Sequence, residues 1–436
     1  MAMTRREFFR SQIAAASGMA LGGLATASAE ANGALTKKRK RSSLTLPDVG
    51  SDMPLAFAPA EHAERVQRFK LEMARRKLDV MLLFSNKSFF YLYGYDMAPG
   101  VSVTYKAIIA PLDGPATAHI RNTLVPWTTR IPALQQVRTY EISFDDSNPR
   151  DTVAILADMK LLSGKTIGIE LESQQLGVRQ YNILREEIEK GGGKLVNASD
   201  LVMELCIRKS PAEIAMMRQA GKLYDVAVQA VLGAIRPGVR ECDVNAEAMH
   251  AYYAAGGDDT AQPLMLIPAP LINMLPPTRR RLRAGETLLF EVAGCINRYH
   301  VIGAQSVLCG AKPDADTKTA FKVAREASAV MRSLIKPGVA TADIARQAMA
   351  ARGMVGKTET FHGGYSMGIA YRYRWHEDLI IETKDTHVLE EGMTLSIFGF
   401  GSSGKALLFT ADPIVVTKSG FEELSALPRD QLRVLG

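Results

Sequence analysis

Ile235-Arg-Pro-Gly-Val239 recurs in this chain as Ile335-Lys-Pro-Gly-Val339, and the two copies lie 100 residues apart. The same offset relates three residues that follow each copy: Asp243, Ala248 and Met249 recur as Asp343, Ala348 and Met349. Each copy predicts a helix, a Pro-Gly turn, a second helix and then strands. A long repeat that occurs twice indicates a pseudo-two-fold duplication rather than a solenoid. Two such units are expected to bring two sheets around a central cleft, which is a common place for a ligand site.

The segment Arg208-Lys-Ser-Pro-Ala-Glu213 marks a boundary before the repeat. Ser210, followed by Pro211 and then by Glu213, predicts a capping box at the start of a long amphipathic helix. Upstream of it, short apolar runs such as Asp79–Phe84 alternate with helical patterns, which is typical of an α/β unit. We therefore predict an α/β (α+β) chain, with an N-terminal α/β domain over residues 55–206 and a duplicated domain over residues 207–436.

The composition is that of a globular protein, and the excess of positive charge lies in the N-terminal tail. Of the 436 residues, 47% are hydrophobic and 23% are charged, which excludes global disorder. The net charge is +7, but residues 1–41 hold eight Lys or Arg against two Glu, so the rest of the chain is nearly neutral. A nearly neutral body argues against a nucleic-acid partner. No run of 18 apolar residues follows the N-terminal tail, which predicts no membrane span after removal of a signal.

The basic tail resembles a twin-arginine export signal. Arg5-Arg6 begins a basic segment, an uncharged stretch rich in Ala and Gly covers residues 12–26, and Ala27-Ser28-Ala29 is a small-residue cleavage pattern. Signals of this kind direct folded proteins across the bacterial inner membrane. We therefore expect residues 1–29 to be a signal peptide, residues 30–54 to form a basic flexible linker, and the mature protein to be periplasmic.

Several motifs, in order along the chain, resemble those of the pita-bread family, which includes creatinase, prolidase, aminopeptidase P and methionine aminopeptidase. They are Arg208–Glu213, the two Pro-Gly turns, Gly364-Tyr-Ser-Met-Gly368 and Leu389-Glu-Glu-Gly-Met393. The first half, with Tyr91-Leu-Tyr-Gly94, looks like the creatinase/prolidase type of N-terminal domain. The resemblance implies a pseudo-two-fold pita-bread domain after that N-terminal domain, and a homodimer.

The resemblance also implies two metal ions held by two Asp, one His and two Glu, but this sequence departs from that set. The five positions hold Glu291, Ile302, Tyr365, Phe398 and Ala411. Ile, Phe and Ala offer no donor atoms, whereas a two-metal hydrolytic site needs ligands that hold both cations close together. We therefore predict a chain without a metal and without any other cofactor.

Creatinase is a pita-bread enzyme that hydrolyses a small C–N substrate without metal, and the spacing of this sequence resembles it. Gly364–Ile369 is followed by a long insert, Ala370-Tyr-Arg-Tyr-Arg-Trp-His-Glu377, before the Leu389–Met393 turn. The loop at Met274-Leu-Pro276, however, lacks the His with which creatinase moves a proton. Hydrolysis or elimination without metal is therefore implied, whereas creatine as the substrate is not.

Four residues are candidates for acid–base chemistry in the predicted cleft. His376 and Glu377 stand where the family places substrate-binding His or Glu residues, and Glu can bind a cationic nitrogen or raise the basicity of an imidazole. Glu291 retains a carboxylate at a former ligand position, where burial is expected to raise its pKa. Tyr365 is a phenolic donor to an oxyanion. The alternatives are a solvated insert for His376 and Glu377, a structural hydrogen bond for Glu291, and simple filling of the cleft for Tyr365.

Four further residues are candidates for substrate binding: His300, His362, Arg372 and Arg280. Arg372 lies in the insert, where interleaved Arg and aromatic side chains are typical of ligand binding near a cleft. Arg280 is suited to bidentate binding of a carboxylate, although three consecutive Arg at a turn more often form a solvated face. A lone His in a strand, such as His300, is more often a core residue.

Three functions remain open from the sequence. The first is an exported, metal-independent hydrolase or lyase that acts on a small polar or aromatic molecule. The second is an Xaa-Pro-type metallopeptidase with unusual ligands, drawn from His300, His362, His376, Glu377 and Asp412. The third is a catalytically inactive homologue that uses the cleft to bind a ligand. A small-molecule substrate is the expected partner in the first of these.

Overall fold

A computed structural model describes residues 56–96, 104–127, 134, 136–141, 147–261, 263–269, 276–351, 362–372 and 374–436. The predicted export signal, the basic linker and Met274-Leu275 lie outside these ranges, so the expectations about them stay predictions. Within the ranges given, no helix is long and apolar enough to cross a bilayer.

The N-terminal half forms a six-stranded mixed sheet with helices packed around it. Its elements are α1 (Pro59–Arg75), β1 (Val80–Leu83), α2 (Asn86–Tyr93), β2 (Ala107–Pro111), β3 (Thr117–Arg121), a 3-10 helix (Asn122–Trp127), β4 (Gln136–Tyr140), α3 (Ser147–Asp158), β5 (Thr166–Ile169), α4 (Val178–Lys190), β6 (Lys194–Asn197) and α5 (Asp200–Ile207). The strand order is β4-β3-β2-β1-β5-β6. All four residues of β1 are buried, and β1 pairs antiparallel with β2 and parallel with β5. The strand predicted within Asp79–Phe84 is confirmed as a central strand.

The C-terminal half forms one eight-stranded sheet and four helices within the described residues. Its elements are α6 (Pro211–Ala234), α7 (Glu241–Ala254), β7 (Met265–Pro268), β8 (Thr287–Ile296), β9 (Tyr299–Cys309), α8 (Ala315–Leu334), α9 (Thr341–Ala351), β10 (Gly364–Ser366), β11 (Thr394–Ser403), β12 (Ala406–Val416), β13 (Phe421–Glu423) and β14 (Arg433–Leu435). The main strand order is β10-β11-β12-β9-β8-β7, with β13 beside β12 and β14 beside β9. The order is symmetric about the β12–β9 pair, as expected for a duplicated unit.

The two Pro-Gly turns have the same backbone structure. Gly238 has a φ of +87° and Gly338 a φ of +86°, in the left-handed region that glycine adopts without strain. The amide of Gly238 donates to the carbonyl of Leu282 at 2.8 Å, and the amide of Gly338 donates to the carbonyl of Leu389 at 2.8 Å. Each turn joins two helices of its half, so the repeat predicted from the sequence is confirmed.

The two repeats of the C-terminal domain share one eight-stranded sheet, so the prediction that they bring two sheets around a cleft is wrong on this point. Strands β9 and β12 pair antiparallel, with Ala304 opposite Ala411. Each of these strands has 11 residues and would otherwise leave a long open edge, which proteins generally cover or pair. These edges are covered jointly: β9 and β12 meet at Ala304 and Ala411, β14 pairs with Val307–Cys309 of β9, and β13 pairs with Ile414–Val416 of β12.

Helices α6 and α8 pack closely on one face of this sheet. A Cβ added to Gly294 would lie 2.1 Å from the carbonyl oxygen of Ala220 in α6, and one added to Gly401 would lie 1.8 Å from that of Ala320 in α8. Glycine is therefore required where each helix backbone meets its strand. The alternate residues of β8 and β11 point to the opposite face, which is the face of the candidate site.

The junction between the halves begins with the predicted capping box. The Ser210 hydroxyl accepts the amide of Glu213 at 3.2 Å, and the Ser210 amide donates to the Glu213 carboxylate at 2.9 Å. One residue earlier, the Lys209 amide donates to the carbonyl of Gly392 at 3.1 Å. The junction is thus held against the Leu389–Met393 turn, close to the insert that carries His376.

Candidate functional site

A row of directly opposed residues crosses the centre of the large sheet. The register places these residues in the order Glu291, Ala304, Ala411 and Phe398. Directly opposed side chains share a face of a sheet. Tyr365 on β10 lies opposite Ser396, two residues before Phe398, so Tyr365 points to the same face. The fold therefore brings Glu291 and Tyr365 together from opposite halves of the duplicated domain.

Tyr365 and Glu291 form a buried phenol–carboxylate pair. The Tyr365 hydroxyl donates to Glu291 Oε1 at 3.1 Å, and both side chains are at most 8% exposed. Burial raises the pKa of Tyr365 well above its usual value, and the neighbouring carboxylate raises it further. The phenol therefore stays protonated at neutral pH and remains a hydrogen-bond donor.

His376 is a neutral base with one ring nitrogen committed to the backbone. Its Nδ1 lies 2.7 Å from the carbonyl oxygen of Glu377, which can only accept, so Nδ1 carries the hydrogen and Nε2 keeps its lone pair. Burial lowers the pKa of His376, and the charges of Arg374 and Lys87 lower it further against the opposing effect of the backbone carbonyl. The ring centroid lies 5.6 Å from that of Tyr365. An unprotonated imidazole thus stands beside the phenol–carboxylate pair.

Aromatic rings surround these polar groups. The Phe398 ring packs edge-on against Tyr365 at 5.3 Å and against His362 at 5.0 Å, measured between centroids. Trp375 packs edge-on against His376 at 5.8 Å. His362 lies at the exposed rim, where partial desolvation and the nearby His376 lower its pKa. The result is a cluster with apolar walls, two neutral imidazoles and one carboxylate.

Glu377 is buried beside Lys209 rather than beside an imidazole. Its carboxylate forms an ion pair with the Lys209 ammonium, and each side chain is 1% exposed. Lys209 also donates to the carbonyl of Ile207 at 3.1 Å. The Glu377 amide donates to the carbonyl of Ser366 at 3.0 Å, which ties the His376 loop to the strand that carries Tyr365. The contacts of Glu377 therefore position the loop that holds the base.

The remaining sequence candidates have other partners. His300 is fully buried, accepts the amide of Ala261 on Nε2 at 2.9 Å, and donates from Nδ1 to the carbonyl of Arg298 at 2.8 Å. Arg280 donates to the carboxylates of Glu241 and Glu286, each at 2.7 Å. Arg372 is 60% exposed and lies 3.3 Å from Asp259. The contacts of these three residues do not join them to the Glu291–Tyr365–His376 cluster.

The five positions that hold metal ions in the family do not fit a metal site in this chain. Ile302, Phe398 and Ala411 place carbon where donor atoms are needed, and Tyr365 is committed to Glu291. Asp412 lies on the other face of β12, where its carboxylate is surrounded by Arg325, Ser328, Arg332 and Arg429. Among the described residues, no group of three or more His, Cys, Asp or Glu could hold a metal ion.

Three residues near the site carried no functional prediction from the sequence. Trp375 was only part of the insert, and Lys209 was only part of the motif that begins α6. Lys87, in the first turn of α2, lowers the pKa of His376 across the boundary between the two halves. The sequence signal for Lys209 was its place one residue before the capping serine, but its partner Glu377 is 168 residues away.

Two family profiles match the chain. Residues 65–205 match the Creatinase/Prolidase N-terminal domain, and residues 215–418 match metallopeptidase family M24. An uncharacterized hydrolase/peptidase of Sinorhizobium fredii is 28% identical over 398 residues, covering 86% of this chain and 98% of the relative. The ectoine hydrolase of Halomonas elongata is also 28% identical, over 410 residues, with 86% and 98% of the two chains covered.

Solved structures show the same fold at lower sequence identity. The prolidase of Thermococcus sibiricus superimposes with a TM-score of 0.74 at 17% identity, covering 86% of this chain and 99% of that one. The N-terminal domain of the FACT complex subunit SPT16 from chickpea superimposes with a TM-score of 0.68 at 15% identity, covering 86% and 98%. The chain therefore has the fold of these proteins, and this fold alone does not determine its chemistry.

Proposed function

The chain belongs to the pita-bread family, with a Creatinase/Prolidase N-terminal domain and an M24 domain, and from this premise we propose that it is a metal-independent hydrolase. It acts by acid–base catalysis on a small polar molecule with a C–N bond. The observation that carries the proposal is the cluster of Glu291, Tyr365 and His376. Two of its members stand at ligand positions of the family, and the other three ligand positions hold side chains without donor atoms.

The cluster supplies the groups that hydrolysis needs. His376 Nε2 takes a proton from water, whose oxygen then attacks the electrophilic carbon of the substrate. The C–N bond breaks, and the departing nitrogen takes the proton back from the imidazolium. When substrate binds, the Tyr365 hydroxyl turns its one hydrogen from Glu291 to the oxygen or nitrogen on which negative charge develops, and Glu291 pairs instead with a cationic nitrogen of the substrate. Elimination begins with proton removal by the same base, so a lyase reaction is the variant of this proposal.

The lining of the site favours a substrate that combines an apolar or aromatic part with a cationic nitrogen. Phe398 and Trp375 supply apolar and aromatic walls, and Glu291 supplies negative charge at the centre. Such a substrate would place its charge on Glu291 and its apolar part against Phe398. The similarity to an ectoine hydrolase makes ectoine the first compound to test.

An Xaa-Pro dipeptidase is the second candidate, favoured by similarity to the Xaa-Pro dipeptidase of Pyrococcus horikoshii, 23% identical over 375 residues. The positions of Ile302, Phe398 and Ala411 oppose it, because they leave no ligand set for the two metals such a site needs. We further propose that the protein is exported by the twin-arginine route and works as a homodimer. The support for export is the sequence of residues 1–29.

The test is a panel of hydrolysis assays on the purified protein, followed by mass spectrometry. Ectoine, creatine and Xaa-Pro dipeptides are each incubated with wild type, His376→Gln and Glu291→Gln, before and after exhaustive chelation. We expect chelator-resistant turnover of a small C–N compound that falls at least about 100-fold in each variant, as for loss of a general base. Turnover of dipeptides that chelation abolishes would establish the metallopeptidase instead. Far-ultraviolet circular dichroism checks that both variants are folded.

A further inference from the structure

A polar cleft separate from the Glu291–Tyr365–His376 cluster lies between the N-terminal half and the insert. It encloses about 620 Å³, including its open mouth, and its wall includes Asn86, Lys87, Glu170, Ser173, Arg372 and Arg374. Asn86 and Lys87 are the first two residues of α2, and the two arginines come from the insert. The cleft is therefore assembled from both halves of the chain.

Lys87 is a buried cation without a hydrogen-bond partner among the described residues. Its side chain is 5% exposed, and its ammonium group makes no hydrogen bond to the surrounding protein. The neighbouring Asn86 is 4% exposed, and its Oδ1 also has no partner there. A buried ammonium group is costly unless it is paired, so two adjacent unpaired polar groups in one wall indicate a place for a polar ligand.

The acids near Lys87 make no hydrogen bond with its ammonium group among the described residues. Both oxygens of Glu170 are used, because they accept the amides of Phe84 and Ser85 and the hydroxyl of Ser88. Glu377 attracts Lys87 electrostatically, but its ion pair is with Lys209 through Oε2, and its buried Oε1 has no hydrogen-bond partner there. Burial lowers the pKa of Lys87, which is the response of a cation that lacks a close counter-charge.

The two arginines add positive charge at the mouth of the cleft. Arg374 lies 3.6 Å from Glu172 and also pairs with Asp378. Arg372 lies 3.3 Å from Asp259 and is 60% exposed. The partners of both arginines are at least partly exposed carboxylates, which an incoming anion can displace at little cost. The positive charge at the base of the cleft, on Lys87, has no such partner to give up.

We propose that this cleft binds a small oxyanion, a carboxylate or a phosphate, through the Lys87 ammonium group. The oxyanion supplies the acceptor that Lys87 lacks, and a ligand with a hydroxyl, such as hydrogen phosphate, donates it to Asn86 Oδ1. Arg372 draws the ligand in from solvent. This site goes beyond the proposed hydrolase activity and does not depend on it.

The test is isothermal titration calorimetry of the full-length chain with sodium acetate and, separately, with inorganic phosphate at constant ionic strength. Acetamide serves as the neutral control. Wild type binds one equivalent of at least one anion and does not bind acetamide, and the two arms distinguish a carboxylate from a phosphate ligand. Lys87→Met weakens binding about tenfold or more, which is the loss typical of a charge-assisted hydrogen bond.

Lys106→Met is the matched control. Lys106 is another fully buried lysine of the N-terminal half, and it is not among the residues that line the cleft, so its removal leaves anion binding unchanged. Failure of wild type to bind either anion, or equal binding by Lys87→Met, overturns the proposal. Should Lys87→Met not fold, Arg372→Gln at its exposed position decides the matter: weaker binding supports the proposal, and unchanged binding refutes it.

Discussion

Replacing Glu377 with glutamine tests whether the buried charges behind the site hold the fold together. The substitution keeps the shape of the side chain and removes its charge, leaving the Lys209 ammonium buried without its charged partner and Lys87 without the strongest of its electrostatic attractions. Breaking a buried ion pair from one side typically costs about 3–5 kcal/mol of unfolding free energy. Lys209→Met removes the other partner but leaves Glu377 near Lys87, so we expect a smaller loss of about 1–3 kcal/mol.

The assay is urea-induced unfolding followed by circular dichroism, with the m-value compared among variants. Glu390→Gln is the matched control, because Glu390 forms a 2.6 Å ion pair with Arg208 in which both side chains are more than half exposed. Such a surface pair contributes at most about 1 kcal/mol. The double variant of Lys209 and Glu377 should be less destabilised than the two single changes added together.

The outcome that would refute this reasoning is a Glu377→Gln protein as stable as the Glu390→Gln control. A larger loss for Lys209→Met than for Glu377→Gln would also contradict it, since it would show that Lys87 offers Glu377 no compensation. In the first case Glu377 would not be a structural anchor, and its catalytic role predicted from the sequence would be the one to test.

Three further predictions concern pH and charge. In the pH profile of kcat/KM for the proposed hydrolysis, the acidic limb should lie below pH 6.5, because burial lowers the pKa of His376 and its neutral form is the base. An acidic limb above pH 6.5 would contradict this. The pKa of Asp412 is lowered to about 2, so its stabilising effect is complete above the usual carboxylate pKa and is lost as pH falls through about 2. Asp412→Asn should therefore lower the unfolding free energy by about 3 kcal/mol at pH 7. The unfolding free energy of the variant should also fall less steeply than that of wild type as the pH is lowered. The pKa of His387 is raised to about 10 by its hydrogen bond to Asp385. The contribution of His387 to stability is therefore complete below pH 6.5 and disappears as pH rises through about 10. His387→Ala should remove this alkaline loss of stability from thermal unfolding curves.

Local signals in the sequence predicted the elements well. The Ser210–Glu213 capping box and the paired turns at Gly238 and Gly338 follow from hydrogen bonds and backbone angles that a few neighbouring residues determine. The burial of β1 follows from an uninterrupted apolar run. Each of these features is decided within a short stretch of chain, where residue type and spacing carry the information.

Contacts between distant segments were harder to predict. The pairing of Ala304 with Ala411 joins the two halves of the large sheet, and two alanines give no sign of it in the sequence. Glu377 was expected to act on substrate or on an imidazole, but a carboxylate buried beside Lys209 has its charge balanced by another segment. The Tyr365–Glu291 hydrogen bond likewise depends on strand register, which a list of motif positions does not contain.

The most direct test of the central claim is the metal content of the active protein, measured by mass spectrometry alongside turnover of its substrate. The residues at the family's five ligand positions predict substoichiometric metal and unchanged kcat/KM after chelation. Stoichiometric metal, with activity that chelation removes and a divalent cation restores, would contradict the proposal that Glu291, Tyr365 and His376 work without it.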